Sequence, residues 1–127
     1  MHLIIDGFGA NPRILEDEEL LYQLLDDYPP QIGMTKVASP YVFRYIGSKP
    51  EDWGVSGFVL IAESHISIHT FPERRYVNID VFSCKDFDPE QVTRDLQARF
   101  ELAEVECYLL NRGLEHSHIE TVESKAI

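Results

Sequence analysis

Apolar residues recur with a period of two through most of this chain and with a helical period in only two places. Residues 2–8, HLIIDGF, read as a short strand stopped by Gly7 and Gly9, with a turn at Asn11 and Pro12. A helix follows: Glu16, Asp17, Glu18 and Glu19 crowd its first turn, where the positive end of the helix dipole favours them. Leu20, Leu21, Leu24, Leu25 and Tyr28 form its apolar stripe, and Pro29 and Pro30 end it. From 33 to 46, Val37, Tyr41, Val42, Phe43 and Tyr45 favour a strand, which Pro40 confines to a sheet edge or a bulge. After a loop, SKPEDWG, residues 55–62 (VSGFVLIA) predict a buried strand and 65–70 (HISIHT) a second with alternating faces, joined at Glu63-Ser64. Residues 76–84, YVNIDVFSC, set Val77, Ile79 and Val81 on one face and Tyr76, Asn78, Asp80, Phe82 and Cys84 on the other. Asp88 as N-cap, Pro89 at the first helical position and Gln91 in a capping box open a second helix with Val92, Leu96 and Phe100 inward. Residues 105–112 make a last strand, and the polar tail GLEHSHIETVESKAI reads as weakly ordered.

Strands dominate, and the short connections between them suit antiparallel pairing. The fold class expected is α+β, a two-layer sandwich with a mostly antiparallel sheet and helices on one face. The other sheet face then needs cover, and a homodimer supplies it economically.

At 127 residues the chain suits a single domain, and 44% hydrophobic residues are enough to fill one core. Its 11 basic residues against 22 acidic ones give a net charge of −11, which disfavours nucleic acid and anionic membrane surfaces and suits a cationic or zwitterionic small ligand. No apolar run approaches the roughly 20 residues of a bilayer span, and the first residues lack a secretory pattern, so a cytoplasmic location is expected. Cys84 and Cys107 are too few for a disulfide framework, and neither belongs to a CxxC pair.

Reactive side chains concentrate in residues 63–73, ESHISIHTFPE. Strand alternation puts His65, Ser67 and His69 on one face and Ser64, Ile66, Ile68 and Thr70 on the other, provided the turn at 63–64 keeps the phase. Three chemistries compete. The histidines suit a metal with Cys84 or Glu73, but no second ligand pair supports them. A Ser-His pair suits a hydrolase, but the G-x-S-x-G elbow is missing. The third option is attack by Ser64 on its own backbone. Taken singly, each of these residues is more often a satisfied structural group than a catalyst, and Cys107 reads as a small core hydrophobe.

Three segments in order, Gly54-Val55-Ser56-Gly57, then ESHISIHTFPE, then Asp80-Val81-Phe82-Ser83-Cys84, together resemble the short prokaryotic form of the pyruvoyl-dependent S-adenosylmethionine decarboxylases. The resemblance extends over essentially the whole chain and is strongest in residues 54–84. It implies a proenzyme that cuts itself between Glu63 and Ser64 into a β chain of residues 1–63 and an α chain of residues 64–127. Ser64 becomes a pyruvoyl group that binds the substrate amine as a Schiff base. Ser56 and His69 assist the cleavage, and Cys84 is the acid that reprotonates the substrate carbon. Ile66, Phe71 and Glu73 match positions lining the nucleoside pocket. Pyridoxal phosphate and metal are not implied. The resemblance further implies S-adenosylmethionine as the substrate, a decarboxylated product that is the aminopropyl donor for spermidine, and a homodimer of αβ units whose facing sheets build sites near the interface.

Departures from the pattern are local. Phe71 stands where tryptophan is common, Lys85 follows Cys84 where glycine is usual, the loop before Gly54 is longer, and Arg74 and Arg75 form a basic pair that reads as surface ion pairing. Tyr41, Phe43 and Tyr45 are candidates for a second stacking face, and His116 and His118 read as ordinary solvated residues. Two other functions remain open: the same chemistry on arginine or ornithine, and a relative that does not process and acts in binding or regulation. The intact set Ser56, Glu63, Ser64, His69 and Cys84 argues against the latter.

Overall fold

The computed structural model describes residues 1–112 and the backbone of 124–126, so His116 and His118 lie outside the described residues. Seven strands, β1 (His2–Phe8), β2 (Tyr41–Ile46), β3 (Trp53–Ile61), β4 (Ser64–Phe71), β5 (Tyr76–Ser83), β6 (Glu104–Leu110) and β7 (Ser124–Ala126), form one sheet in the order β2-β3-β4-β5-β1-β6-β7. Every neighbouring pair is antiparallel. Among the described residues, three helices accompany the sheet: α1 (Pro12–Leu15), α2 (Glu18–Gln31) and α3 (Pro89–Phe100). The α+β sandwich inferred from the alternation is therefore present.

The period of two decides the layers. Leu3, Ile5, Val55, Val59, Ile66, Ile68, Val77, Ile79 and Val81 point to one face and are buried. Leu21, Leu24, Leu25 and Tyr28 of α2 and Val92, Leu96 and Phe100 of α3 join them in one core. Each such aliphatic side chain contributes about 1.5–3 kcal/mol by leaving water. Tyr28 reaches across from α2 to donate its hydroxyl to Asp95 Oδ2 of α3 at 2.8 Å, and burial, with Asp95 beside it, pushes its phenol well above the usual range.

Several boundaries differ from the sequence reading. Asn11 does not simply turn the chain: its side chain caps the short helix α1 by accepting from the Arg13 amide. Glu16 ends that helix, and α2 starts later, with Asp17 as its cap and only Glu18 and Glu19 in the first turn. Pro29 and Pro30 do not end α2, which runs on to Gln31. Proline removes an amide donor but keeps its carbonyl, so the last turn is closed by the amides of Ile32 and Met34 on Pro29 O and of Gly33 on Pro30 O. The strand expected over 33–46 shrinks to Tyr41–Ile46, because Pro40 lacks an amide for the ladder; a single bridge, Lys36 to Ile61, is all that precedes it. As Pro40 implied, β2 is an edge strand.

Gly54 is obligatory in this packing. A Cβ there would lie 1.8 Å from the Thr70 carbonyl oxygen, a backbone atom that cannot swing aside. Thr70 is itself fixed, its buried hydroxyl donating to Leu15 O and accepting from the Val55 amide. Gly54→Ala should therefore cost about 3 kcal/mol or more by forcing β3 and β4 apart. Urea unfolding of the purified variant measures this, and a midpoint equal to the parent's would show that the strands yield freely.

The face opposite the helices remains open. It carries Phe8, Tyr41, Phe43, Tyr45, Phe58, Leu60 and Tyr108, all exposed, around a polar centre where Asp6 accepts from Tyr76 and Asn78.

Candidate active site

The sequence-predicted site residues fall into two groups. The first lies where β3 turns into β4. Ile61 pairs with Ser64, which leaves Ala62 and Glu63 as a two-residue turn and makes Ser64 the first residue of β4 rather than part of the connection. Glu63 has φ 59°, the left-handed region that glycine or asparagine normally fills, so the residue on the carbonyl side of the Glu63–Ser64 bond carries about 1 kcal/mol of local strain. Ser64 is buried, and its Oγ donates to Ser83 Oγ on the adjacent β5 at 3.1 Å. Ser83 is buried too, and its Oγ also accepts the Lys85 amide at 3.0 Å. Cys84 follows immediately, past the end of β5, and is exposed.

The second group lies on the open face toward the other end of β4. Ser56 and His69 are directly paired across β3 and β4, with Ser56 Oγ 2.8 Å from His69 Nδ1. Beside them is a cavity of about 490 Å³ walled by Phe43, Tyr45, Trp53, Ser56, His69 and Phe71. Phe71 also packs on Tyr76, with ring centroids 5.5 Å apart. Glu73 follows on a 3-10 turn, Pro72–Arg74, where its Oε1 accepts the Trp53 indole N–H at 3.3 Å. Arg44 lies 4.9 Å over the Trp53 ring, and Arg74 pairs with Asp52 at 2.7 Å, so the longer loop is held against the cavity. Arg74 thus makes the surface ion pair expected of it.

Within one chain the two groups do not meet. Ser64 and His69 are five positions apart on β4, about 17 Å at strand rise, and alternate residues face opposite sides, so Ser64 points to the helices and His69 to the open face. The expectation that Glu63-Ser64 sits beside Ser56 and His69 is therefore not met inside a single protomer. Ile66 is likewise not brought to the cavity: its side chain lies in the core, opposite Val59 and Val81. Sequence reasoning also passed over Trp53, assigned to a surface loop, and Ser83, whose inward phase on β5 was the available signal.

The local electrostatics are mild. His65 faces Phe82 on the open side and is held below its ordinary range by lost solvation, with His2 nearby as a second cause. Burial pushes the Tyr76 phenol up, aided by its hydrogen bond to Asp6. Cys107, whose thiol burial also raises, is a core residue as expected. Among the described residues, no group of three or more His, Cys, Asp and Glu is placed to hold a metal ion, and no helix is long and apolar enough to cross a membrane.

This architecture is that of a known structural class. The fold is similar to that of the adenosylmethionine decarboxylase from Aquifex aeolicus, with a TM-score of 0.73, 24% sequence identity, and coverage of 94% of this chain and 95% of that one. The family model described as S-adenosylmethionine decarboxylase matches residues 1–113. The chain belongs to the S-adenosylmethionine decarboxylase family. Among its relatives are proteins named S-adenosylmethionine decarboxylase proenzyme. That of Archaeoglobus fulgidus is 34% identical over 113 residues, which is 88% of this chain and 96% of the relative. That of Clostridium botulinum is 36% identical over 113 residues, covering 88% of this chain and 92% of the relative.

Proposed function

We propose that this chain is a proenzyme that cleaves itself between Glu63 and Ser64 and then decarboxylates S-adenosylmethionine. The observation that carries the reading is the placement of Ser64 directly after a left-handed Glu63, at the end of a tight hairpin, with its hydroxyl already hydrogen-bonded. The Ser64 oxygen attacks the Glu63 carbonyl carbon, the C–N bond breaks as the nitrogen takes a proton, and an ester replaces the amide. Loss of the Ser64 α-proton then expels Glu63 as a carboxylate, and water releases ammonia from the remaining unsaturated residue. The products are the β chain, residues 1–63, and an α chain, residues 64–127, that begins with a pyruvoyl group.

The residues present fit that group. Ser64 heads its strand, so release from Glu63 frees residue 64 without unpairing the rest of β4, and the neighbouring Cys84 thiol is exposed. The group supplies an electron sink for loss of carbon dioxide from an α-amino acid. Cys84 then gives the proton that the substrate carbon requires. The cavity is matched to the remainder of the substrate: Phe71, with Tyr45 and Trp53 nearby, offers aromatic faces to an adenine ring and a sulfonium, whereas Glu73 lies outside its lining and holds the Trp53 indole.

A homodimer completes the site. Pairing the open faces about a two-fold axis lying across the strands covers their exposed aromatics and sets the Ser56–His69 end of one sheet against the exposed Glu63 turn of the other, approaching the Glu63–Ser64 bond from the side opposite the Ser64 hydroxyl. Ser56 and His69 of one protomer then assist cleavage in its partner. The product is the aminopropyl donor of spermidine synthesis.

Substrate identity is tested by carbon dioxide release from S-adenosylmethionine, arginine and ornithine, with Phe71→Ala alongside. Stacking on one ring is worth about 0.5–1.5 kcal/mol, so Phe71→Ala should raise KM for S-adenosylmethionine roughly 2- to 13-fold while leaving cleavage of the chain intact. Faster release from arginine or ornithine, indifferent to Phe71→Ala, would assign the cavity to a smaller amino acid.

A further inference from the structure

We propose that Ser83 is a positioning residue for cleavage of the chain: its hydroxyl orients that of Ser64 toward the Glu63 carbonyl. This rests on self-cleavage at Glu63–Ser64 as the function of the hairpin. A serine hydroxyl has one proton and two lone pairs. Ser64 Oγ donates its proton to Ser83 Oγ at 3.1 Å, so that proton is directed toward β5 and the lone pairs are directed elsewhere. Left free to rotate, the hydroxyl would spend much of its time with the proton in the path of attack.

Ser83 is built to hold this arrangement. It lies opposite Ser64 in the β4–β5 ladder, and its side chain is 1% exposed. Its Oγ accepts the Lys85 amide at 3.0 Å, and its own amide donates to Met1 O at 2.9 Å, so both side chain and backbone are anchored from outside β4. Neither Ser56 nor His69 does this within the protomer, since both lie on the open face. Ser83 has no part in proton transfer here; it acts through Ser64.

The experiment compares Ser83→Thr with Ser83→Val in the full-length chain. The two side chains have the same shape and only threonine keeps the hydroxyl. Proenzyme is produced by cell-free translation, and the first-order appearance of the α chain is followed by denaturing mass spectrometry. Ser83→Val should slow cleavage roughly 10- to 100-fold, the scale of a nucleophile lost from its aligned position, while Ser83→Thr stays close to the wild-type rate. Thermal midpoints of the two substitutions in a Ser64→Ala background, which cannot cleave, should agree and so separate orientation from folding. Equal cleavage by Val and Thr variants, whether fast or slow, overturns the role of the hydroxyl, as does a Val midpoint far enough below Thr to leave the chain unfolded at the assay temperature. A wild-type chain that stays whole is a different failure: it removes the self-cleavage reading, and this inference with it.

Discussion

Ser64→Ala should remain a single chain of 14.6 kDa and release no measurable carbon dioxide from S-adenosylmethionine, whereas the wild-type protein separates into two fragments under denaturing conditions. The fragment beginning at residue 64 should react with hydroxylamine, as a terminal ketone does. The substitution is a clean test because it disturbs little else. Ser83 Oγ keeps the Lys85 amide as a partner, and loss of the Ser64 donor costs about 1 kcal/mol, too little to unfold a domain with so continuous a core. Full activity from wholly uncleaved protein would remove the mechanism altogether. Retained cleavage in Ser64→Ala would move the scissile bond elsewhere.

The second large effect follows from the separation of the two residue groups. Ser64→Ala and His69→Ala should each be defective alone, the first in the nucleophile and the second in assistance to cleavage. Mixed in one refolding reaction, they should recover function, because a heterodimer unites Ser64 of one protomer with His69 of the other at one of its two sites. Random pairing at equal concentrations makes about half of the dimers mixed, so about a quarter of the wild-type sites should return. The appearance of the α chain and the decarboxylation rate report the same recovery. If Ser64 and His69 act within one chain, no mixture contains a complete site, and recovery stays at zero.

Much of this architecture was readable from residue order. The alternation in β4 placed Ser64, Ile66, Ile68 and Thr70 on one face and His65, Ser67 and His69 on the other, and burial follows that division. The cap Asp88 is a local hydrogen-bonding device, and Asp88 and Pro89 begin α3 as expected, whereas Asp17, read as part of a first turn, caps α2 instead. Elsewhere local signals misled. Two consecutive prolines look like the end of a helix, yet α2 absorbs them in its last turn, where following residues supply the missing amides and Pro29 is buried. Trp53 in a polar stretch looks like loop, but pairing with Ile46 recruits it into β3.

The sequence by itself determined which side chains lie inward, where the reactive cluster sits and which family the pattern resembles, because strand period, capping and short motifs depend only on residues near in the chain. Tertiary structure decided which reactive groups are neighbours. The Ser64–Ser83 contact joins residues 19 positions apart through the β4–β5 register, and the Trp53–Glu73 contact joins residues 20 apart across the cavity wall. The same register paired His69 with Ser56 at one end of β4 and Ser64 with Ser83 at the other, which turned an apparently single cluster into two. Sequence proximity along a strand is distance, at about 3.3 Å for every residue, whereas proximity between strands is set by register, and register is fixed only when the whole inward face is buried at once.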